Sequence, residues 1–406
     1  MNTRLLSLPA AARKAASRQS TAHRRLLKQV LDLNDFERLA QRRLPRAIYG
    51  YVAGGSESQT SLHGNRDTFL DWRLITPVLV GVAERSQETQ LFGRTYAAPF
   101  GIAPMGGSSV VTYNGALQMA RAATESRIPF VLSANCIIPL EEVARKAPGS
   151  WFAAYQSPNE KAIEGMVERV ARAGCAVLVL TADVPIGSNR EVDRRAGFTF
   201  PIRLTPRLTW DGVTHPSWLL GTAARTLLRR GIPRIENLEP NGGPNLFSRA
   251  VTQIAAHEEL SWAHVRLMRK LWKGPFVVKG ILSKEDAKIA RDCGVDGIVV
   301  SNHGGRQLDQ AATPLQVLPD IVEAAPELTV MIDSGFRRGT DVLKALSLGA
   351  RFVFVGRPFL FAAALAGEPG VLHAIALLSK EIDTDMALLG ERSIADAGPD
   401  NLLRVR

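Results

Sequence analysis

The stretch Gly297-Ile298-Val299-Val300-Ser301-Asn302-His303 joins a short apolar run to a polar end, and two glycines follow it. Such a run is typical of a parallel strand that is covered on both faces. The pattern recurs from residue 99 onward and alternates with longer stretches of helical periodicity. The strand candidates span residues 99–104, 130–133, 151–155, 177–183, 276–280, 297–303, 329–335 and 352–356.

These repeated βα units predict an α/β fold, a closed (β/α)8 or TIM barrel preceded by an N-terminal helical segment. An open doubly wound sheet is disfavoured because its glycine-rich fingerprint is missing from the sequence. Helix-start signals agree with the barrel, since Ser283 precedes Asp286 by one turn and Pro314 and Pro358 stand where helices would begin. The active site of such a barrel lies at the C-terminal ends of its strands.

The spacing of the units breaks once, between Asp183 and Phe276, where about 90 residues replace a short connection. We therefore predict a long insertion after the fourth strand. The expected organisation is a basic, disordered tail over residues 1–33, a barrel over 34–392 that includes a loop insertion at 194–260, and a C-terminal tail over 393–406.

The formal charge of +11 is confined to two segments. Seven basic residues and no acid precede Asp32, and the segment from Arg194 to Arg234 has eight arginines with Asp211 as its one acid. A basic tail and one basic loop do not make a nucleic-acid-binding protein, so no nucleic-acid partner is expected. The chain has neither a convincing signal peptide nor the roughly 18 consecutive apolar residues of a membrane span. The expected location is therefore the cytoplasm.

The three cysteines, Cys136, Cys175 and Cys293, are far apart and suggest neither a disulfide framework nor a CxxC site. This pattern suits a reducing compartment. The histidines also lack zinc-site spacing, so no metal is expected.

Two strand ends have residue types suited to acid–base chemistry on a carboxylic acid. His303 and Arg306 follow the sixth strand, and Asp183 and Arg190 follow the fourth. A histidine oriented by a carboxylate can act as a base, while two arginines can hold a carboxylate from two sides. Each of these residues, taken alone, is also compatible with an ordinary surface salt bridge.

The last two strand ends have residue types suited to a phosphate. The sequences Asp333-Ser334-Gly335-Phe336-Arg337 and Gly356-Arg357-Pro358 follow strands seven and eight, where barrels commonly bind phosphate. Lys279 ends strand five inside an apolar run, where burial is costly without a counter-charge, and a bound anion would meet that cost. The alternatives are solvated arginines in tight turns and a lysine reaching the barrel rim.

Across residues 34–392 the chain resembles the FMN-dependent L-2-hydroxy acid oxidase and dehydrogenase family, which includes glycolate oxidase, flavocytochrome b2, and bacterial L-lactate and mandelate dehydrogenases. The segments that carry the resemblance are SNHGGRQLD at 301–309, VVKG at 277–280, DSGFRRGTDV at 333–342, GRP at 356–358 and LPRAIYGYVAGG at 44–55. The resemblance implies an FMN-binding barrel that oxidises an L-2-hydroxy acid to the 2-oxo acid.

The resemblance also implies roles for single residues. His303 would be the base and Asp183 its partner, while Tyr155 would contact the substrate hydroxyl and Arg190, Arg306 and Tyr51 the carboxylate. The flavin ring would contact Ser133, Thr181, Ser301, Lys279 and the backbone at Pro104, Met105 and Gly106. The ribityl chain and phosphate would contact Asp333, Gly335, Arg337, Gly356 and Arg357. Proton abstraction from carbon and hydride transfer use the same residues and stay open.

Three residues depart from the family pattern. Met105 replaces a small residue, Ala153 replaces a flavin-contacting glutamine, and Asn135 replaces the tryptophan of glycolate-type members. The loss of the glutamine removes hydrogen bonds of about 1 kcal/mol each, which shifts FMN affinity or potential. Asn135 leaves more room for a side chain, so we expect a medium or bulky 2-hydroxy acid, such as an aromatic one, ahead of glycolate.

The resemblance also leads to expectations about the electron acceptor, the membrane contact and the oligomeric state. Gly106 and the insertion favour a dehydrogenase that passes electrons to a quinone, and the alternatives are an oxidase that forms hydrogen peroxide from O2 or another FMN barrel such as an isomerase. The arginines and apolar residues of 205–235 suit an anionic membrane surface on the inner face of the cell membrane, or else a solvated lid. A homotetramer is implied by the resemblance alone.

Overall fold

The computed structural model describes residues 21–250 and 258–405. The strands in this part of the chain are β1 (Trp72–Leu74), β2 (Thr89–Leu91), β3 (Arg94–Tyr96), β4 (Phe100–Ile102), β5 (Val131–Ser133), β6 (Trp151–Ala154), β7 (Leu178–Thr181), β8 (Phe276–Ile281), β9 (Gly297–Val300), β10 (Thr329–Ile332), β11 (Phe352–Val355) and β12 (Leu402–Arg404). The α-helices span Thr21–Leu27, Leu33–Arg43, Arg46–Ala53, Thr60–Asp67, Ser108–Val111, Gly115–Glu125, Leu140–Lys146, Glu160–Arg172, Glu191–Ala196, Pro206–Val213, Pro216–Trp218, Arg225–Arg230, Trp262–Leu271, Lys284–Asp292, Pro314–Ala324, Gly339–Ser347, Arg357–Ala366 and Glu368–Leu388.

The parallel strands β4 to β11 form one eight-stranded sheet in the order β4-β11-β10-β9-β8-β7-β6-β5. A parallel bridge between Ile102 and Phe130 joins the two ends of this sheet and closes it into a barrel. The predicted (β/α)8 barrel is therefore confirmed. The strands end before most of the predicted limits, because the polar residues at their C-terminal ends turn into the loops that form the site.

The barrel has one apolar layer inside and another between its strands and helices. The inner layer includes Val131, Trp151, Val277 and Phe354, all of them buried. The outer layer joins the opposite faces of the strands to the surrounding helices. This alternation holds the strand ends in fixed positions, so that side chains on different loops can meet at one mouth.

The predicted N-terminal boundary at residue 33 is wrong. The chain is already helical over Thr21–Leu27, and Leu27 and Val30 are buried against the barrel helices. Asp32 caps the next helix by accepting from Asn34 and Asp35, and that helix packs on Arg357–Ala366. Leu27 and Val30 form an apolar face that is hard to recognise in the sequence because basic residues surround it. The tail predicted for residues 1–20 lies outside the described residues.

Residues 393–405 of the predicted C-terminal tail are also part of the fold. β12 pairs antiparallel with β1, in a register that sets Trp72 opposite Arg404. The peptide N–H of Val405 continues the pairing by donating to the carbonyl of Asp71 at 2.8 Å. The segment 393–406 was predicted as a tail because three-residue strands leave almost no periodic signal.

The insertion after β7 folds into short helices that are tied to the barrel. The indole of Trp218 donates to the carbonyl of Val110 at 3.0 Å, and Asn237 exchanges hydrogen bonds with Ile138 and Leu140 at 2.8 and 2.9 Å. Arg230 pairs with Glu142 at 3.1 Å. The helix Trp262–Leu271 then resumes the barrel pattern.

Candidate active site

A deep cleft opens at the C-terminal ends of the barrel strands, with about 1180 Å³ of unfilled space including its mouth. Most of the residues predicted for the site lie on its surface, since the barrel brings the strand ends together. They are Tyr51, Pro104, Met105, Gly106, Tyr155, Thr181, Arg190, Lys279, His303, Arg306, Asp333, Gly335, Arg337, Gly356 and Arg357. Asp183, Ser133 and Ser301 are absent from this lining, and each of them supports a neighbouring group instead.

His303 and Asp183 form a hydrogen-bonded pair, with Nδ1 of the imidazole 3.0 Å from Oδ1 of the carboxylate. Burial lowers the pKa of His303 and Lys279 adds to this effect, while Asp183 offsets part of it. Burial alone would raise the pKa of Asp183, but His303 and Lys279 bring it below its usual value. The pair therefore consists of a neutral imidazole and an ionised carboxylate. Such a carboxylate keeps the proton on Nδ1 and leaves Nε2 able to accept one.

Gly280 allows this pair to form, although β8 lies between the strands that bear its members. It is the next-to-last residue of β8 and has a φ of +108°, and a Cβ there would lie 2.5 Å from the Cβ of Asp183. Any side chain at this position would push Asp183 away from His303. The VVKG sequence thus supplies both a lysine and the space for the neighbouring carboxylate.

The helix Thr60–Asp67 holds the loop that bears His303. Asn65 and Asn302 exchange two amide hydrogen bonds of 2.9 and 2.7 Å, and both side chains are buried. Ser61 N donates to Asp309 at 2.8 Å. Sequence reasoning missed Asn65, because Ser61, Asn65 and Thr68 form a polar stripe at helical spacing. Such a stripe is normally an exposed face, but here it faces the loop.

Arg306 is held by the end of the helix Arg46–Ala53. Its guanidinium donates to the carbonyls of Tyr51, Val52 and Gly54 at 2.6 to 3.2 Å. The guanidinium also lies 3.7 Å from Asp193 and 5.1 Å from the centre of the Tyr51 ring. Asp193 was not singled out from the sequence. The arrangement fixes the direction in which Arg306 faces the cleft.

Arg190 and Arg357 bring further positive charge close to Arg306. Burial, with the charge of Arg190, lowers the pKa of Arg306 to about 10, and burial with Arg306 lowers that of Arg357 to about 9. Arg357 donates to the carbonyls of Val52, Gly54 and Gly304. It therefore braces the cleft wall in addition to lining the cleft. Crowded buried cations favour a bound anion.

Lys279 has a protein counter-charge, whereas the sequence suggested a bound anion. Its ammonium lies 3.1 Å from Asp333 Oδ2 and donates to Ser301 Oγ at 2.7 Å. Burial would lower the pKa of Lys279, but Asp333 and Asp183 raise it above its usual value. Lys279 is therefore a fixed positive charge in the cleft, and Asp333 is its partner.

Arg337 lies at the other end of the cleft beside Gly335. Its Nη2 donates to Glu37 of the N-terminal helical segment at 2.7 Å, while its buried Nη1 has no partner within the described residues. The hydroxyl of Thr181, on the same cleft, is also buried without a described partner. Sequence reasoning missed Glu37, which is 300 residues away in the chain.

These features fit an FMN molecule. A buried guanidinium nitrogen beside two glycine-containing loops suits a phosphate, and the unpaired Thr181 hydroxyl with the charged Lys279 suits the polar edge of a flavin ring. Met105 also lies in the cleft, since a Cβ at Gly356 would be 3.6 Å from its sulfur. Ala153 is buried in the inner layer and offers no polar group.

Comparison with known proteins agrees with this fit. The FMN-dependent dehydrogenase family matches residues 40–404. The (S)-mandelate dehydrogenase of Pseudomonas putida is 38% identical over 375 residues, which cover 92% of this chain and 94% of that protein. The L-lactate dehydrogenase of Pectobacterium atrosepticum is 38% identical over 377 residues, with 91% and 96% covered.

A solved structure of the monotopic membrane protein (S)-mandelate dehydrogenase matches with a TM-score of 0.84 and 36% identity, covering 93% of this chain and 100% of that one. The resemblance, the barrel and the cofactor expected from the sequence are thereby confirmed. With its closed barrel and its cleft fitted to a flavin phosphate at one end, the chain belongs to the FMN-dependent dehydrogenase family.

Proposed function

We propose that the reaction is carried by His303 as base, with a medium or bulky 2-hydroxy acid as substrate. The reaction of this FMN-dependent dehydrogenase is the oxidation of a 2-hydroxy acid to the 2-oxo acid. The observation that carries the assignment is the neutral imidazole of His303, which is backed by an ionised Asp183 and faces the same cleft as Arg190 and Arg306. Two arginines suit the carboxylate of the substrate.

In this mechanism the substrate loses two electrons and two protons. FMN, when bound, would take up the two electrons together with one of the two protons. His303 accepts one proton at Nε2, and Asp183 stabilises the imidazolium that results. Burial raises the pKa of the Tyr155 phenol, and Asp183 adds to this effect. Tyr155 therefore stays protonated and holds the substrate oxygen, with its own oxygen 3.4 Å from Nε2 of His303.

Lys279 and the arginines act through charge. Lys279 remains an ammonium, so it stabilises negative charge that develops in the cleft during the reaction. Arg306 is pre-oriented by three backbone carbonyls, and little freedom is lost when it binds a carboxylate. In this division of roles His303 is the one side chain proposed to accept a proton.

The decisive experiment is an anaerobic spectral titration of the purified yellow protein with a panel of 2-hydroxy acids. We expect L-mandelate and longer acids to bleach the flavin at lower concentrations than glycolate. A preference for glycolate would contradict the substrate proposal, and no bleaching by any acid would contradict the function and favour another FMN barrel.

We also propose a quinone as the electron acceptor. The reduced protein should be reoxidised faster by a soluble quinone analogue than by air. Rapid reoxidation by O2 with stoichiometric hydrogen peroxide would instead identify an oxidase.

The proposed homotetramer would appear in light scattering as four times the chain mass, and a monomer would contradict it.

The insertion supports a proposal of peripheral contact with an anionic membrane. Its exposed apolar residues include Leu204, Trp210, Val213, Leu220, Leu227, Leu228 and Ile232, and its exposed cations include Arg203, Arg207, Arg225, Arg229 and Arg234. No described helix is both long and apolar enough to cross a bilayer. This mixture of side chains suits an interface of acyl chains and anionic headgroups.

Co-sedimentation with anionic liposomes at low salt tests the membrane contact. The double variant L227E/L228E should lose binding, while V78E/L79E, which changes two exposed apolar residues outside the insertion, should keep it. Equal binding by both variants would show that the insertion is not the contact surface.

A further inference from the structure

A second chamber adjoins the active-site cleft beneath the insertion, with about 1510 Å³ of unfilled space including its opening. Four residues line both spaces, namely Tyr51, Asn135, Tyr155 and Arg190. Since Arg190 and Tyr155 are the groups proposed to hold the carboxylate and the hydroxyl, a substrate bound there lies at the border of the chamber. Asn135 stands at this junction, and a larger side chain at its position would narrow it.

The walls of the chamber are mainly apolar. They are formed by Ile137, Phe198, Phe200, Ile235, Leu238 and Leu246. Phe198, Ile235 and Leu246 are 4%, 5% and 3% exposed, so these surfaces face the chamber and the core behind it. Apolar walls around unfilled space lack attractive contacts on one side, and they gain those contacts when an apolar group enters.

The walls are held in place by backbone and ring contacts. Ile235 N donates to Pro244 O at 3.0 Å, and Ile202 N donates to Leu246 O at 2.9 Å. The ring of Phe198 stacks on Tyr51 with centroids 4.4 Å apart. The chamber is therefore a built part of the fold, attached through Tyr51 to the helix end that orients Arg306.

Apart from Arg190, the charged residues that line the chamber are paired within the protein. Asp193 faces Arg306, and Arg194 donates to Asn189. The polar end of a ligand is therefore expected at Arg190 and Tyr155, and its apolar end against the walls. A methyl group, as in lactate, would leave the chamber unfilled.

We propose that the chamber is a subsite for an extended apolar side chain. The substrate is then a 2-hydroxy acid whose alkyl chain extends farther than the width of a phenyl ring. The inference rests on the proposed function and adds to it the class of side chain. Each methylene that enters the chamber should raise kcat/KM roughly two- to fourfold, because the removal of its surface from water favours binding in the transition state.

The test is the kinetics of a chain-length series, from 2-hydroxybutanoate through 2-hydroxyhexanoate to 2-hydroxyoctanoate, with the holoenzyme. Leu246→Trp fills the chamber and should lower the ratio of kcat/KM for octanoate to that for butanoate by about tenfold or more. Leu228→Trp is the matched control, since Leu228 is 84% exposed and lies outside the chamber lining, and it should leave the ratio unchanged.

Phe200→Ala provides a second variant in case the tryptophan disturbs folding, because Phe200 is 36% exposed at the chamber. It should lower the same ratio by removing contacts with the longer chain. If butanoate reduces the flavin but octanoate is no better and the ratio is insensitive to both variants, the chamber proposal is wrong and the proposed function stands. If neither L-mandelate nor any acid of the series reduces the flavin, the proposed function itself fails.

Discussion

Nδ1 of His303 lies 3.0 Å from Oδ1 of Asp183, and each side chain changes the protonation of the other. Asp183 raises the pKa of His303 against the larger lowering effect of burial. Because the base must be neutral, the acid limb of kcat/KM should lie below the usual histidine pKa of about 6.5.

Asp183→Asn should lower kcat by roughly 10²- to 10⁴-fold, because the imidazolium formed in the reaction loses its counter-charge. It should also move the acid limb to lower pH, since the group that raised the pKa of His303 is gone. His303→Gln should lower kcat by at least as much without leaving a titrating base. An acid limb that moves to higher pH in D183N would contradict this account.

Asn65 is expected to act on catalysis without touching the substrate. Asn65→Ala leaves the buried amide of Asn302 without its partner, at a cost of about 1–3 kcal/mol in stability. We expect a lower melting temperature and a kcat reduced by about tenfold, because the loop of His303 loosens. His63→Ala, on the exposed face of the same helix, is the control and should change neither value.

Arg337 should distinguish the flavin phosphate from the flavin ring. Arg337→Met removes the buried donor and should weaken FMN binding by roughly ten- to a hundredfold, as expected for a charge-assisted contact of about 1.5–3 kcal/mol. The affinity for riboflavin, which has no phosphate, should hardly change. Equal losses for both ligands in fluorescence titrations would mean that Arg337 does not bind the phosphate.

Glu391 should make the stability of the folded chain depend on pH. The side chain is 2% exposed, and burial raises its pKa to about 7, with Asp396 adding to this effect and the hydrogen bond from Asn401 opposing it. The folded state therefore binds a proton that the unfolded chain releases near pH 4.5. This contribution is complete below pH 4.5 and is lost as the pH rises through about 7.

Glu391→Gln keeps a side chain that can accept from Asn401 but has no charge. It should raise the melting temperature above that of the parent at pH 8, by an amount equivalent to about 1–2 kcal/mol, and have little effect at pH 5. Glu323→Gln, at an exposed position, should leave the pH dependence as it is. A variant that is less stable than the parent at pH 8 would contradict the assignment.

The barrel and the residues at its strand ends could be predicted because both leave local patterns. The apolar run of β9 ends at Val300, three residues before His303, and a parallel strand of this kind directs the residues that follow it to the barrel mouth. The supports of the site could not be predicted in this way. Asn65 lies 237 residues from Asn302, and Glu37 lies 300 residues from Arg337. No periodicity connects such partners, and only tertiary packing brings them together.

The prediction of a disordered tail up to residue 33 is wrong because a run of basic residues conceals the apolar face formed by Leu27 and Val30. The counter-charge of Lys279 was missed for a different reason. The resemblance assigns Asp333 to the ribityl chain. Its second role, as the counter-charge of Lys279, can be recognised only from the distance between the two side chains.

The walls of the chamber come largely from the single insertion after β7, whereas His303, Arg306 and Lys279 are held by other parts of the fold. Mutations in that insertion can therefore alter which side chain is accepted while the base and its partners keep their positions. This separation allows related enzymes to diverge in substrate specificity without passing through an inactive ancestor, since selection can act on the insertion alone.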